Sequence, residues 1–255
     1  MKTLYQAIVE LEQANEAGAV CTIIRSQGST PRHVTSKMLV YPDGHILGTV
    51  GGGEVENRVI KEALQALDDR TPRLLAYNMA NPERGDPGVC GGQVEIYVEP
   101  LNPKPVLVVV GVGHVGKAVA HLAKWLGFVV AVTDDRPEFC NQTSVPEADM
   151  FFPIALEELP TQLKITPWTY IVLTTRGVDV DIRGLPPILD SNAAYVGVIG
   201  SKRRWATTTK KLKESGVSSE LIGRVHSPIG LEIHAETPEE IAVSIMAEII
   251  KLFQH

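Results

Sequence analysis

The chain has little cysteine: Cys21, Cys90 and Cys140 are its only three in 255 residues. An odd number at wide spacing argues against a disulfide framework and suits thiols in a reducing compartment. No His/Cys spacing matches a structural zinc site. No Lys/Arg-rich tract interrupts a chain of net charge −6, so a nucleic-acid backbone would be repelled except at local basic spots. No apolar run approaches the roughly 20 residues that cross a bilayer. The opening Met1-Lys2-Thr3-Leu4-Tyr5 leads into mixed polar and apolar residues without the apolar segment of a signal peptide. The expectation is a soluble, cytoplasmic chain with neither nucleic acid nor membrane as partner. A G-x-S-x-G elbow and a Walker loop are also missing. Disorder is not expected, because 44% of the residues are hydrophobic and only 21% charged.

What is present divides the chain in two. Glu99-Pro100-Leu101-Asn102-Pro103-Lys104-Pro105 holds three prolines in seven residues, which cannot continue a helix and would interrupt a central strand. We place an α+β domain over 1–100, a Pro-rich linker over 101–105 and a Rossmann-like domain over 106–255. In the first, Leu4, Ile8, Leu11 and Ala14 stand at helical spacing, with Gly18 as the stop. A strand over 19–24 follows, then a hairpin of 37–41 and 45–50 turned by Pro42-Asp43-Gly44. A helix over 54–67 has Val55, Val59, Ala63, Leu64 and Leu67 on one face, and strands follow near 73–78 and 93–99. After the linker, strands are expected at 106–110, 129–133, 148–153, 170–174 and 194–199, with helices over 115–126 and from about 200 through Lys211. The final helix opens at Thr237-Pro238-Glu239-Glu240, a capping-box signature with proline at the first helical position. Strands alternating with helices predict an α/β fold whose parallel sheet is flanked by helices.

Gly111-x-Gly113-x-x-Gly116 joins an apolar strand to a helix, and Asp134 stands about 20 residues beyond it. Such glycines allow a tight turn and let a pyrophosphate sit on the helix N-terminus, while Asp134 or Asp135 would accept from a ribose hydroxyl. The alternative is a Rossmann domain whose nucleotide function has lapsed. His114 projects from the loop as a ligand contact or as a solvated side chain. Ligands of open α/β sheets bind beyond the carboxyl ends of the strands, which here include Thr174-Thr175-Arg176-Gly177 and Gly200-Ser201-Lys202-Arg203-Arg204. The latter run, Ser201 and Arg203 included, would hold a phosphate at a helix N-terminus or form a solvated charged face. In the first domain, Gly51-Gly52-Gly53-Glu54 opens a helix, and Gly28-Ser29-Thr30-Pro31-Arg32 and Gly88-Val89-Cys90-Gly91-Gly92 are further glycine-rich loops. Cys90 is either an accessible thiol for a soft metal or sulfur, or an inert one.

These residues, taken in order, resemble the XdhC/CoxI family of accessory proteins to molybdenum-cofactor hydroxylases. The resemblance covers nearly the whole chain, from Gly28-Ser29-Thr30-Pro31-Arg32, Gly48-Thr49-Val50-Gly51-Gly52-Gly53-x-x-Glu56 and Cys90-Gly91-Gly92 to Gly111-x-Gly113-His114-Val115-Gly116, Asp134-Asp135-Arg136, Pro228-Ile229-Gly230-Leu231 and Glu236-Thr237-Pro238-Glu239-Glu240. It implies a chaperone, not a turnover enzyme: one that binds molybdenum cofactor (molybdopterin), works with a cysteine desulfurase as the terminal sulfur is added, and delivers the cofactor to an apo-hydroxylase of the xanthine dehydrogenase type. A homodimer is compatible with it. By position, Gly51 to Glu54, Cys90 and Gly111 to Gly116 are the implied ligand-facing residues, with Cys90 the candidate metal ligand. Two positions depart from the family pattern: Val178 stands where a His is frequent, and His234, where Gly is usual, is expected to fill or re-line the pocket. The alternative function is an NAD(P)-dependent oxidoreductase using the same loop, which needs a positioned acid/base from among His114, Asp179 and Asp181.

Overall fold

The computed structural model describes residues 2–30, 32–79 and 91–253, and the chain falls into two units, Met1–Pro103 and Lys104–His255. In the first, α1 (Leu4–Ala14) precedes β1 (Gly18–Gln27), β2 (Lys37–Val40) and β3 (Ile46–Gly48), then α2 (Gly53–Asp69), β4 (Arg73–Asn78) and β5 (Gln93–Leu101). The strands form an antiparallel sheet in the order β3-β2-β1-β5-β4. Period-two alternation assigns its faces. Ala19, Cys21, Ile23, Met38, Val40 and Ile96 pack with Val55, Val59 and Ala63 of α2, while Val20 and Leu39 point the other way, onto Ala7 and Leu11 of α1. Helix α1 ends earlier than expected, at Asn15, whose left-handed φ of 52° returns its N–H to Glu12 and Leu11. Gly18 opens β1 instead.

The strand before the expected linker also runs further than its prolines suggest. Pro100 pairs opposite Ala19 and Leu101 opposite Gly18, so both belong to β5. On the other side, β4 stops pairing at Val98. Beyond it β5 is an edge strand, where a residue without an N–H is tolerated.

The second unit contains β6 (Val106–Val110), α3 (His114–Trp125), β7 (Val129–Thr133), β8 (Met150–Phe152), α4 (Leu159–Gln162), β9 (Thr169–Leu173), α5 (Val178–Leu189), β10 (Tyr195–Val198), α6 (Lys202–Glu214), α7 (Ser219–Gly223), β11 (Val225–His226) and α8 (Pro238–Phe253). Every neighbouring pair is parallel, in the order β8-β7-β6-β9-β10-β11. That is the doubly wound dinucleotide-fold order, whose winding reverses between β6 and β9. Helices cover both faces, so the central strands are apolar throughout, as in Val106-Leu107-Val108-Val109-Val110. Residues of α3 and α8 fill one side; Leu185, Ile188 and Leu189 of α5 with Leu212 of α6 fill the other.

Helix α8 carries the expected cap: Thr237 Oγ1 accepts from the Glu240 N–H at 3.2 Å, and Glu240 accepts from the Thr237 N–H at 3.0 Å. Helix α5 was not legible, because Gly184, Pro186 and Pro187 argue against a helix. Burial overrides that preference: Leu185, Ile188 and Leu189 are fully buried, and a Cβ at Gly184 would stand 2.4 Å from Leu156. Among the described residues, no helix is long and apolar enough to cross a membrane.

Candidate functional site: the cleft at the strand reversal

The carboxyl ends of β6 and β9 part where the winding reverses, and a cleft of about 510 Å³ opens there. Its walls come from the Gly111–His114 loop, Asp134–Arg136 after β7, Thr174–Arg176 after β9, Arg183 on α5, and Gly200 and Arg204 after β10. Three glycines shape it in different ways. Gly111 turns with a φ of +87°, and a Cβ there would lie 3.0 Å from the Thr174 carbonyl oxygen. A Cβ at Gly116 would press to 2.2 Å from the Gly111 oxygen, so only glycine lets α3 start this close to the sheet. Thr174 Oγ1 donates to the Gly111 oxygen at 2.6 Å and fixes the turn to β9. Gly113 differs: nothing lies within 4 Å of a Cβ built on it. The fold does not require glycine there, but a ligand approaching the backbone would. Gly113 is also the N-cap of α3 and offers no side-chain acceptor, so this 12-residue helix begins with N–H groups that no side chain caps, a setting that favours an anion. His114, its first residue, is exposed and lines the cleft.

Asp134, expected to accept from a ribose, has another task. Its Oδ1 accepts from the Arg136 N–H at 3.1 Å and from Arg136 Nε at 2.8 Å. Its Oδ2 accepts from the Val112 N–H at 3.0 Å and Arg136 Nη2 at 2.9 Å. Burial pushes this carboxyl up, but the Arg136 guanidinium and the two N–H groups outweigh it and hold Asp134 below the usual carboxylate range. The residue clamps the glycine loop to the end of β7. Asp135 meets Arg176 in a bidentate pair at 2.9 and 2.8 Å, with both side chains partly exposed.

The cleft floor is a buried polar knot that sequence reasoning missed. Asp181 is fully buried; it accepts from Thr175 Oγ1 and, at 2.7 Å, from Arg204 Nη2. Arg204 also donates to the Thr175 carbonyl at 3.2 Å and to Thr175 Oγ1 at 2.8 Å. This corrects two expectations. Arg204 is turned inward, away from a phosphate at the surface, while Ser201 caps α6 by accepting from the Arg204 N–H at 3.2 Å and Arg203 is exposed outside the cleft lining. Asp179 faces solvent beside Lys211, Asp181 is sealed beneath Arg204, and His114 stands at the rim, so the three do not meet as a proton-transfer group. A signal was present in Thr175-Arg176-Gly177-Val178-Asp179-Val180-Asp181: an acid in the first turn of a helix reaches back to the strand end that precedes it.

In the first unit, Gly51, Gly52 and Gly53 take φ values of 143°, 76° and 61°, a run that disfavours any other residue. The acid at its centre is Glu56, not Glu54. Glu56 Oε2 accepts from Thr49 Oγ1, from the Val50 N–H at 3.2 Å and from the Gly52 N–H at 3.3 Å. Glu54 instead pairs with Arg58 at the surface, at 3.0 Å. Cys90 lies outside the described residues. Cys21 is buried, and burial pushes its thiol up to about 12; Cys140 is buried too and is likewise raised. Both are inert core thiols. Among the described residues no group of three or more His, Cys, Asp or Glu is placed to hold a metal. His234 corrects a further expectation: its side chain is 94% exposed and fills no pocket. Its φ of 56° explains instead why glycine suits the position.

The XdhC and CoxI family profile matches residues 11–78, and the XdhC Rossmann domain profile matches residues 107–249. The chain is 38% identical over 255 residues to an uncharacterized protein of Escherichia coli, YqeB, covering 98% of the chain and 46% of the relative. A Bacillus subtilis protein, named as a probable component of xanthine dehydrogenase, is 35% identical over 156 residues, covering 61% of the chain and 45% of the relative. The Escherichia coli molybdenum cofactor insertion chaperone PaoD is 23% identical over 286 residues, covering 100% of the chain and 89% of the relative. The chain thus spans about half the length of the first two of these relatives, at 46% and 45%. Both profiles fall in order on the two units whose glycine loops and cleft are described above, and the chain belongs to the XdhC and CoxI family.

Proposed function

We propose that this chain is an accessory protein of molybdenum hydroxylases: it holds molybdenum cofactor, acts with a cysteine desulfurase while the terminal sulfur is added, and passes the cofactor to an apo-hydroxylase of the xanthine dehydrogenase type. Family membership supports this reading, as do the names of two relatives, a molybdenum cofactor insertion chaperone and a probable component of xanthine dehydrogenase. The observation that carries it is the open space at Gly113 beside an uncapped helix N-terminus, inside the switch-point cleft.

The residues present fit the group. Molybdopterin joins a phosphate to a flat pterin and a dithiolene. The phosphate suits the first N–H groups of α3, where the helix dipole favours an anion. Ile154, Leu156, Val180 and Ile199 give the same cleft an apolar wall suited to a pterin face, and Arg183 stands at the rim paired with Glu157 at 3.8 Å. When bound, the cofactor supplies the metal and sulfur chemistry; the chain's part is to bind it, orient it and shield it. Cys90 is the residue we assign to the sulfur, because the two described thiols are buried.

Anaerobic titration of the purified chain with molybdenum cofactor tests the proposal. Saturable binding is expected, weakened about tenfold or more in Gly113→Val, which places a branched side chain where the ligand approaches. Cys90→Ala should retain binding and lose sulfur transfer from the desulfurase. Absence of saturable binding by the folded wild type would overturn the reading.

A further inference from the structure

In a doubly wound nucleotide domain, the acid after the second strand is where the ribose is held. Here that acid is Asp134, and its capacity is full. An ionised carboxylate offers about four lone-pair sites. Asp134 already accepts four hydrogen bonds, two on each oxygen, at 2.8–3.1 Å, and its side chain is 3% exposed. Three of the four come from Arg136. Nor is the Arg136 guanidinium free to swing aside, since it lies 4.1 Å from the centroid of the Phe139 ring. A ribose diol, which brings two donors, would find no acceptor on Asp134 without breaking the clamp.

We infer that Arg136 is the specificity determinant of this cleft: by saturating Asp134 it removes the acceptor for a free ribose diol, so the cleft refuses NAD and ADP-ribose and takes a phosphorylated ligand that lacks a free adenosine diol. The identity of the accepted ligand rests on the cofactor reading; the refusal of ribose rests on Asp134 alone. Asp135 does not restore the acceptor. It accepts two hydrogen bonds, both from the Arg176 guanidinium, which tie it to the end of β9, and it stands one residue beyond the position that holds the ribose in this fold; the Asp135→Asn arm of the test measures any share it takes.

The test is calorimetric titration of ADP-ribose and NAD into wild type, Arg136→Ala, Arg136→Ala/Asp134→Asn and Arg136→Ala/Asp135→Asn, with each fold checked by thermal melting. Wild type should not saturate below about millimolar ligand. Arg136→Ala frees two acceptor sites while the two backbone N–H groups keep Asp134 in place. ADP-ribose affinity should therefore rise about tenfold, the scale of a charge-assisted hydrogen-bonded contact. Asp134→Asn should abolish that gain and Asp135→Asn should leave it. If Arg136→Ala does not fold, Arg136→Lys, which keeps the charge but cannot form the fork to Asp134, is expected to show the same gain. Wild-type binding of ADP-ribose as tight as the variant's, no gain in a folded variant, or a gain removed by Asp135→Asn would each overturn the inference. Titration of wild type with molybdenum cofactor separates the two proposals: failure there, with the ADP-ribose gain intact, would sink the cofactor reading alone.

Discussion

Replacing Arg204 by Met should destabilise the second unit far more than loss of a surface ion pair. The substitution keeps most of the aliphatic stem and removes the guanidinium. Three hydrogen bonds disappear, to Asp181, Thr175 Oγ1 and the Thr175 carbonyl. Asp181, fully buried, is left with only the Thr175 hydroxyl. Stranding a buried charge in this way costs about 3–5 kcal/mol, against about 0–1 kcal/mol for an exposed pair. For a unit of this size the larger figure corresponds to a fall in Tm of about 10 °C. Tryptophan fluorescence in urea is the natural assay, because Trp125, Trp168 and Trp205 all lie in the second unit and the first contributes no signal. The double variant Asp181→Leu/Arg204→Met should recover part of the loss, since it removes the uncompensated charge. A loss below about 1 kcal/mol in Arg204→Met, or a double variant as unstable as the sum of its parts, would refute the claim that the knot is a coupled, buried network.

Two further outcomes follow from the backbone and from the acids. His234→Gly should stabilise the chain by about 1 kcal/mol, because a left-handed φ of 56° strains any L side chain and the imidazole is 94% exposed; an unchanged or lower Tm would contradict this. Asp134 and Asp149 have folded values below their unfolded ones: against the push of burial, Arg136 and the Val112 N–H lower the first, and Lys124 and the Val130 N–H lower the second. The unfolded chain therefore binds more protons in acid. The stability these groups supply is complete above about pH 4 and drains away as pH falls through the lower folded values. The urea midpoint should hold steady from about pH 7 to 5 and drop below about 4, with a shallower drop in Asp134→Asn; an identical slope in that variant would remove Asp134 from the account.

The parallel sheet was legible because its strands are buried on both faces and its turns carry glycine, so the pattern at Val106 to Gly116 has few readings. The cap at Thr237 was legible for the same local reason. Elements governed by distant partners were not. Helix α5 breaks the propensity rules with Pro186 and Pro187 and is held by burial against Leu156 and its neighbours, which no window of sequence contains. The cleft was located through its glycines, but its polar residues were misassigned. Spacing brings Asp134 to the right strand end and says nothing of Arg136 two residues on, whose side chain turns back upon it. Basic residues in the run Lys202-Arg203-Arg204 look equivalent in sequence, yet only Arg204 points into the protein, because Asp181 waits there. Adjacency to glycine points to Glu54, whereas one turn of helix geometry brings Glu56 back over Gly52.

Glu56 has a consequence for any anion that approaches the triple-glycine turn. Its carboxylate is a ligand on a tether, already seated on the N–H groups that a free anion would seek. A group held by so short a link acts at an effective concentration of about millimolar or more. Inorganic phosphate or a free carboxylate below that level loses the competition on mass action alone. Below that level the turn is therefore closed to a simple anion and responds to a molecule that brings contacts of its own, enough to evict Glu56 or to bind around it.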